Sequence, residues 1–275
     1  MNPDVIRLKS MERGKQVAVE MLTHIGLAVS SIPEATSKRA DLSGSDAAGA
    51  NYLFEVKDKE DIKLTEQQID RLNAGEVVSD AQPTTYNNTI AGIYDDAARQ
   101  LEQTPADAGT FRLIWLFADG SDQKLIRDRA FATFYGQISL FSIDPIVKSE
   151  NGVVECFYFD HNSAFKLQSV DGVILCDSSG IQLLMNEFSM NYSRLKSSVL
   201  FEQFAKYDAY VDPTELEESA GMIAFRSAMP RGDDKNTLAE IERQTGVKYQ
   251  PIRLKRYSSS VITPPQTPNT DADAV

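Results

Sequence analysis

Apolar positions along the chain alternate between helical and strand spacing. Over residues 10–27, Val17, Met21 and Ile25 recur at i, i+4 and i+8, with Ala18 and Leu22 beside them. That spacing predicts an amphipathic helix, with Ser10 as its N-cap. Pro33 breaks the regularity, and residues 37–42 read as a short extended piece. Ser43-Gly44-Ser45-Asp46 and Gly49-Ala50-Asn51 read as turn material. Residues 52–57 (Tyr-Leu-Phe-Glu-Val-Lys) are aromatic and branched enough to predict a strand, paired with 37–42 as a hairpin. A helical turn is expected around 66–73. A strong helix follows at 88–103, with Ile90, Ile93, Ala97 and Leu101 on one side and Pro105 and Gly109 beyond its end. Residues 111–117, nearly continuous in apolar character, predict a buried strand, and 123–140 a further helix.

After Pro145 the texture changes. Residues 153–159, 164–167 and 170–176 predict short antiparallel strands, 192–207 helical material, and 237–245 a late helix opened by Thr237 and Glu240 in capping-box spacing. From Ser258 onward Ser, Thr, Pro and Asp dominate, and a disordered tail is expected. The order helix, hairpin, helix, strand predicts an α/β (α+β) fold. It divides into a core over 1–145, a C-terminal extension of mixed β-hairpins and helices over 146–257, and a tail over 258–275.

Composition narrows the class. The chain has 275 residues, 42% hydrophobic and 25% charged, which is ordinary for a globular protein with a sizeable core. Cys156 and Cys176 each lie in an apolar run with no CxxC or Cys/His spacing, so two reduced core thiols are expected rather than a zinc site or a disulfide. The polar N-terminus shows no secretory pattern, and no stretch reaches the roughly 18 apolar residues of a membrane span. A cytoplasmic location is expected. The sequence contains neither a Walker-type GxxxxGK nor a GxGxxG, and His24 and His161 stand in no recognisable hydrolase motif. A net charge of −12 argues against nucleic acid as a partner, because phosphate binding rests on Lys and Arg. The first 57 residues are nevertheless balanced in sign, and a basic run, Arg253-Leu254-Lys255-Arg256, follows later.

Chemistry concentrates at Glu55-Val56-Lys57. Alternate side chains of a strand share a face, so Glu55 and Lys57 project together while Phe54 and Val56 face the other way. Such charges on an apolar strand are costly to desolvate unless paired or bound, and a hard divalent cation accepts a carboxylate. The same acid-x-Lys pattern at Asp61, Asp122 and Asp233 lies in polar or turn-rich surroundings. Asp41 precedes the turn that folds it back beside Glu55, and a cation relieves the repulsion of two close carboxylates. The rival acid, Asp46, is expected inside the turn and in solvent. Glu20 borders the apolar stripe of the first helix.

Gly14-Lys15-Gln16-Val17-Ala18-Val19-Glu20, Lys38-Arg39-Ala40-Asp41 and Phe54-Glu55-Val56-Lys57 together resemble the PD-(D/E)xK, or restriction-endonuclease-like, nucleases. That family places a Glu on the first core helix, an Asp on a hairpin, and acid-x-Lys on the next strand. Ala40 stands where a Pro is common. The resemblance covers about the first half of the chain and implies a core sheet flanked by helices. It implies Mg²⁺ or Mn²⁺ held by Asp41, Glu55 and the Val56 carbonyl, with Glu20 assisting directly or through water. It implies Lys57 orienting or deprotonating the attacking water, and Gln67 or Gln68 touching substrate. The implied activity is phosphodiester hydrolysis, on DNA in preference to RNA. The competing expectation is a catalytically inactive fold of the same kind whose acidic surface binds a protein partner, and a homo-oligomer is left open in either case.

Overall fold

The computed structural model describes residues 3–33, 39–60, 64–144, 152–253 and 257–263. In chain order the elements are α1 (Pro3–His24), β1 (Ala28–Ser31), β2 (Leu42–Ser45), β3 (Asn51–Lys59), α2 (Glu66–Asn73), β4 (Val78–Pro83), α3 (Asn88–Gln103), β5 (Phe111–Ala118), α4 (Gln123–Tyr135), β6 (Ile138–Ser142) and β7 (Val153–Phe157). They continue as β8 (Gly172–Asp177), β9 (Gly180–Met185), α5 (Tyr192–Leu195), α6 (Val199–Lys206), β10 (Tyr210–Val211), α7 (Pro213–Ala220), β11 (Ile223–Ala224), α8 (Asp234–Thr245), β12 (Tyr249–Pro251) and β13 (Tyr257–Ile262).

The centre is a mixed seven-stranded sheet in the order β1-β2-β3-β5-β8-β9-β10. β1, β2 and β3 form an antiparallel meander, whereas β3, β5 and β8 run parallel. A parallel pair cannot be closed by a tight turn and needs a crossover, which α3 supplies between β3 and β5 and α4 between β5 and β8. β5 is covered on both faces, and its side chains alternate between two cores, which is why its sequence is almost unbroken in apolar character. Ile114 and Leu116 face Ile90, Tyr94 and Leu101 of α3 and Phe134 of α4. Leu113, Trp115 and Phe117 share the other core with Ala18 and Leu22 of α1 and Phe201 and Phe204 of α6. Each such aromatic or aliphatic side chain, fully buried, contributes about 1.5–3 kcal/mol. The fold is therefore mixed α/β, a central mixed sheet flanked by helices. Strands from both sides of residue 145 share that sheet, since β8 to β10 join it beyond β5. A smaller four-stranded sheet, β11-β7-β6-β12, packs with α8 through Leu140, Phe159, Phe225 and Ile241.

Several local expectations are corrected. α1 begins at Pro3, so Ser10 lies inside the helix. Ala18 and Leu22 are its fully buried apolar positions, with Val17 and Ile25 packed partly buried against the same core, while Met21 is exposed. Residues 43–45 are strand rather than turn, and the reversal falls at residues 46–50. The expected strand at 37–42 lies partly outside the described residues. α4 stops at Tyr135 because Gly136 adopts the left-handed conformation (φ 57°), and a Cβ there would sit 2.6 Å from the Asp160 carbonyl oxygen. Residues 138–142 then form β6. Residues 164–167 form a turn held by the Ser163 and Ala164 carbonyls, not a strand. The helix at 192–207 is two helices, the second capped by the Ser198 hydroxyl accepting from the Phe201 amide. α8 is capped by Asp233, whose carboxylate accepts from the Asn236 amide, and Thr237 is buried within the helix. Cys156 and Cys176 are free and buried. Among the described residues no helix is long and apolar enough to cross a membrane.

The expected disordered tail also needs correction, since β13 pairs antiparallel with β4 from Tyr257↔Pro83 to Ile262↔Val78; residues 264–275 lie outside the described residues. Among the described residues β4 has no other strand neighbour, so its protection depends on β13. Deleting residues 257–275 is expected to speed amide hydrogen exchange in β4 while β5 stays protected. Unchanged exchange in β4 would contradict the pairing.

Candidate active site

The candidate residues meet at the carboxyl end of β3. β2 pairs with β3 from Leu42↔Phe54 to Ser45↔Asn51, and the Asp41 amide donates to the Phe54 carbonyl at 3.1 Å. Beyond that bond β2 has turned away, whereas β5 accompanies β3 as far as Lys59↔Ala118. The β2-side margin of β3 is thus open from Val56 onward. Asp41 fills it with a side chain, its Oδ2 accepting from the Val56 amide at 2.9 Å. Amide and carbonyl of one strand residue point the same way, so the Val56 carbonyl also faces the Asp41 side. Continuing the register by one residue places Asp41 opposite Glu55. In open α/β sheets this end of the strands is where ligands are bound.

Glu55 is 2% exposed. One oxygen, Oε1, accepts from Lys57 Nζ at 2.6 Å; the other, Oε2, is buried and has no hydrogen-bond partner among the described residues. Burial, reinforced by the Asp41 carboxylate and opposed by Lys57 and Lys15, pushes the Glu55 carboxyl up to about 7. Lys15, reaching over from α1, places its Nζ 2.6 Å from Asp41 Oδ1. Two carboxylates and two ammoniums therefore share one locus, with a main-chain carbonyl beside them.

A third carboxyl adjoins them on the other face of β3. Asp58 alternates with Phe54 and Val56 and so points toward α1, where its Oδ2 accepts from the Gly14 amide at 3.3 Å. A Cβ at Gly14 would lie 1.8 Å from Asp58 Oδ1, so any larger residue there would displace the carboxylate. Burial pushes Asp58 up to about 7, with the Gly14 amide opposing and Asp119, Asp41 and Glu60 adding to the rise. Neighbouring Asp119 is engaged by Arg13 at 2.7 Å.

The structure thus brings together Asp41, Glu55, Val56 and Lys57, but not Glu20. Glu20 is exposed and accepts from Gln16 of its own helix at 2.8 Å. Lys15 faces Asp41, and five helical residues turn Glu20 about 140° away from it. Gln68 is occupied in a capping box with Thr65 at the start of α2. Asp46 is corrected outright: it is buried, its Oδ1 accepting from the Ala48 and Ala50 amides and its Oδ2 from the Tyr52 hydroxyl at 2.7 Å. Arg253 of the basic run is committed to ion pairs with Asp160 and Asp234; residues 254–256 lie outside the described residues. Lys15 and Asp58 were not singled out from the sequence. A signal was available in Gly14, since a glycine inside a helix marks a close approach.

Among the described residues, no three His, Cys, Asp or Glu side chains are gathered as a metal-binding group. The donors that do fit a hard cation are two carboxylates and a carbonyl: Asp41, the unpartnered Glu55 Oε2 and Val56. Oxygen-only sets of this kind suit Mg²⁺, which keeps several of its waters. An ammonium already rests on Asp41, so the locus is one that accepts positive charge.

Titration gives a direct test. Folding raises the Glu55 pKa from an ordinary 4.5 to about 7, so the folded chain holds this proton more tightly than the unfolded chain. The resulting stabilisation is fully present below 4.5 and is lost as pH rises through 7; its size is roughly 3 kcal/mol. In chelator, Glu55→Gln is expected to match the parent near pH 5 and to melt higher at pH 8. Parallel pH profiles for the two proteins would contradict the buried carboxyl. Compared with protein-family models, with curated proteins and with solved structures, the chain matches none.

Proposed function

We propose that the chain is a metal-dependent phosphodiesterase with a restriction-endonuclease-like core, acting on DNA in preference to RNA. The observation that carries this reading is the meeting of Asp41, Glu55 and Lys57 where β2 leaves β3, with Glu55 Oε2 buried and unpartnered. A buried carboxylate oxygen with no donor is expensive, and a cation is the partner that two adjacent carboxylates share.

Asp41, Glu55 and the Val56 carbonyl would hold Mg²⁺ or Mn²⁺. When bound, such an ion lowers the pKa of water and offsets charge on the scissile phosphate. The remaining steps belong to the chain. Lys57 has three N–H donors; one is fixed on Glu55 Oε1, which leaves two to orient the attacking water and steady a phosphate oxygen. The strand holds Glu55 and Lys57 two residues apart on one face, so their spacing does not depend on loop conformation. Asp41 is fixed through the Val56 amide. Glu20 is assigned no role.

The net charge of −12 favours the competing reading, an inactive fold of this kind that binds a protein through its acidic surface. Cleavage assays on single- and double-stranded DNA and RNA, with Mg²⁺ or Mn²⁺, separate the two. The expected result is metal-dependent cleavage, strongest on DNA, falling by about a hundredfold or more in Lys57→Ala and in Asp41→Ala. A parent protein inert on every substrate, or cleavage indifferent to both substitutions, would remove the enzyme reading.

A further inference from the structure

Lys15 is the residue of this locus that the proposed chemistry leaves unused. Its Nζ lies 2.6 Å from Asp41 Oδ1, with 32% of the lysine side chain and 16% of the aspartate exposed. It also lowers the Glu55 pKa through its charge. The helix carrying it is keyed to β3 one residue earlier, where Gly14 lies against Asp58, so the lysine is delivered to a fixed place. Asp41 thus holds Lys15 and Glu55 holds Lys57. With both carboxyls ionised, the two carboxylates and two ammoniums cancel.

A divalent ion entering this balanced group meets two carboxylates whose charge is already answered. Lys57 can keep its place beside Glu55 Oε1, because Oε2 of the same carboxylate is unpartnered. Asp41 has no equivalent spare oxygen: Oδ2 accepts from the Val56 amide and Oδ1 from Lys15. The ammonium on Oδ1 therefore stands where the ion would bind. A lysine head on a flexible four-carbon stem can withdraw, and the anion that best receives it beside a nuclease site is a nucleic-acid phosphate.

We propose that Lys15 is an internal counter-ion that competes with the divalent metal for Asp41 and so keeps metal loading weak in the free chain. This inference rests on the proposed metal site, and its test separates the two. Mn²⁺ alone is titrated calorimetrically into the full chain, the Lys15→Met and Lys15→Arg variants, and Glu55→Gln. Lys15→Met, close in shape but uncharged, is expected to bind Mn²⁺ about tenfold more tightly than the parent. Lys15→Arg, which keeps the charge, is expected to bind as the parent does, and Glu55→Gln to lose binding. A lysine that merely held Asp41 in place would give the opposite sign, with weaker binding in Lys15→Met. Affinity unchanged or weakened in Lys15→Met, with binding still lost in Glu55→Gln, overturns the counter-ion role and leaves the metal site standing. No Mn²⁺ binding by the parent or by Lys15→Met overturns both.

Discussion

A carboxylate inside the hydrophobic core is the constraint around which this end of the molecule is arranged. Glu55 lies on β3 between Asp41 on one side and Ile114 of β5 on the other, covered almost completely, with one oxygen answered by Lys57 and the other by no donor among the described residues. A single lysine does not repay the desolvation of a carboxylate in such a place. The carboxyl consequently titrates near neutrality rather than in the usual carboxylate range. Groups poised in this way cluster where proteins bind ions or do chemistry, and the surrounding structure keeps Glu55 buried instead of letting it escape to solvent.

The sheet provides that restraint. Because β3 is parallel to β5 from Tyr52 to Lys59 and antiparallel to β2 over its first half only, it is paired on one side and open on the other. Asp41 and the Val56 backbone meet at the opening. α1 closes the other face, with Gly14 admitting Asp58 and Lys15 extending to Asp41. The four-stranded sheet packed with α8 and the β4–β13 pair are separate sheets, built from other strands.

Much of this was legible in the residues. α3 and β5 carry a long periodic and an uninterrupted apolar pattern and fall where those patterns put them, and the alternation in Phe54-Glu55-Val56-Lys57 assigns the two faces of β3. What misled was tertiary in origin. Met21 looks as apolar as Leu22, yet only the partner surface decides which side of α1 is covered. Asp46 resembles any turn aspartate until Tyr52 and two backbone amides close over it. Thr237 and Glu240 have the spacing of a capping box, but Asp233 starts the helix one turn earlier. Residues 257–262 have the composition of a tail and become a strand only because β4 offers an edge. Glu20 fell on a stripe edge by periodicity, whereas the helix turns it to solvent. Lys15 was one basic residue among several until Asp41 was placed beside it.

The proposed function turns on whether Asp41, Glu55 and the Val56 carbonyl form one cation site. Crystals of the full chain soaked in Mn²⁺ and measured at the manganese absorption edge would test it most directly. The expected result is an anomalous peak bounded by Asp41 Oδ1, Glu55 Oε2 and the Val56 carbonyl, with the Lys15 ammonium moved off Asp41. A map with no peak there, and Lys15 still paired with Asp41, would contradict it.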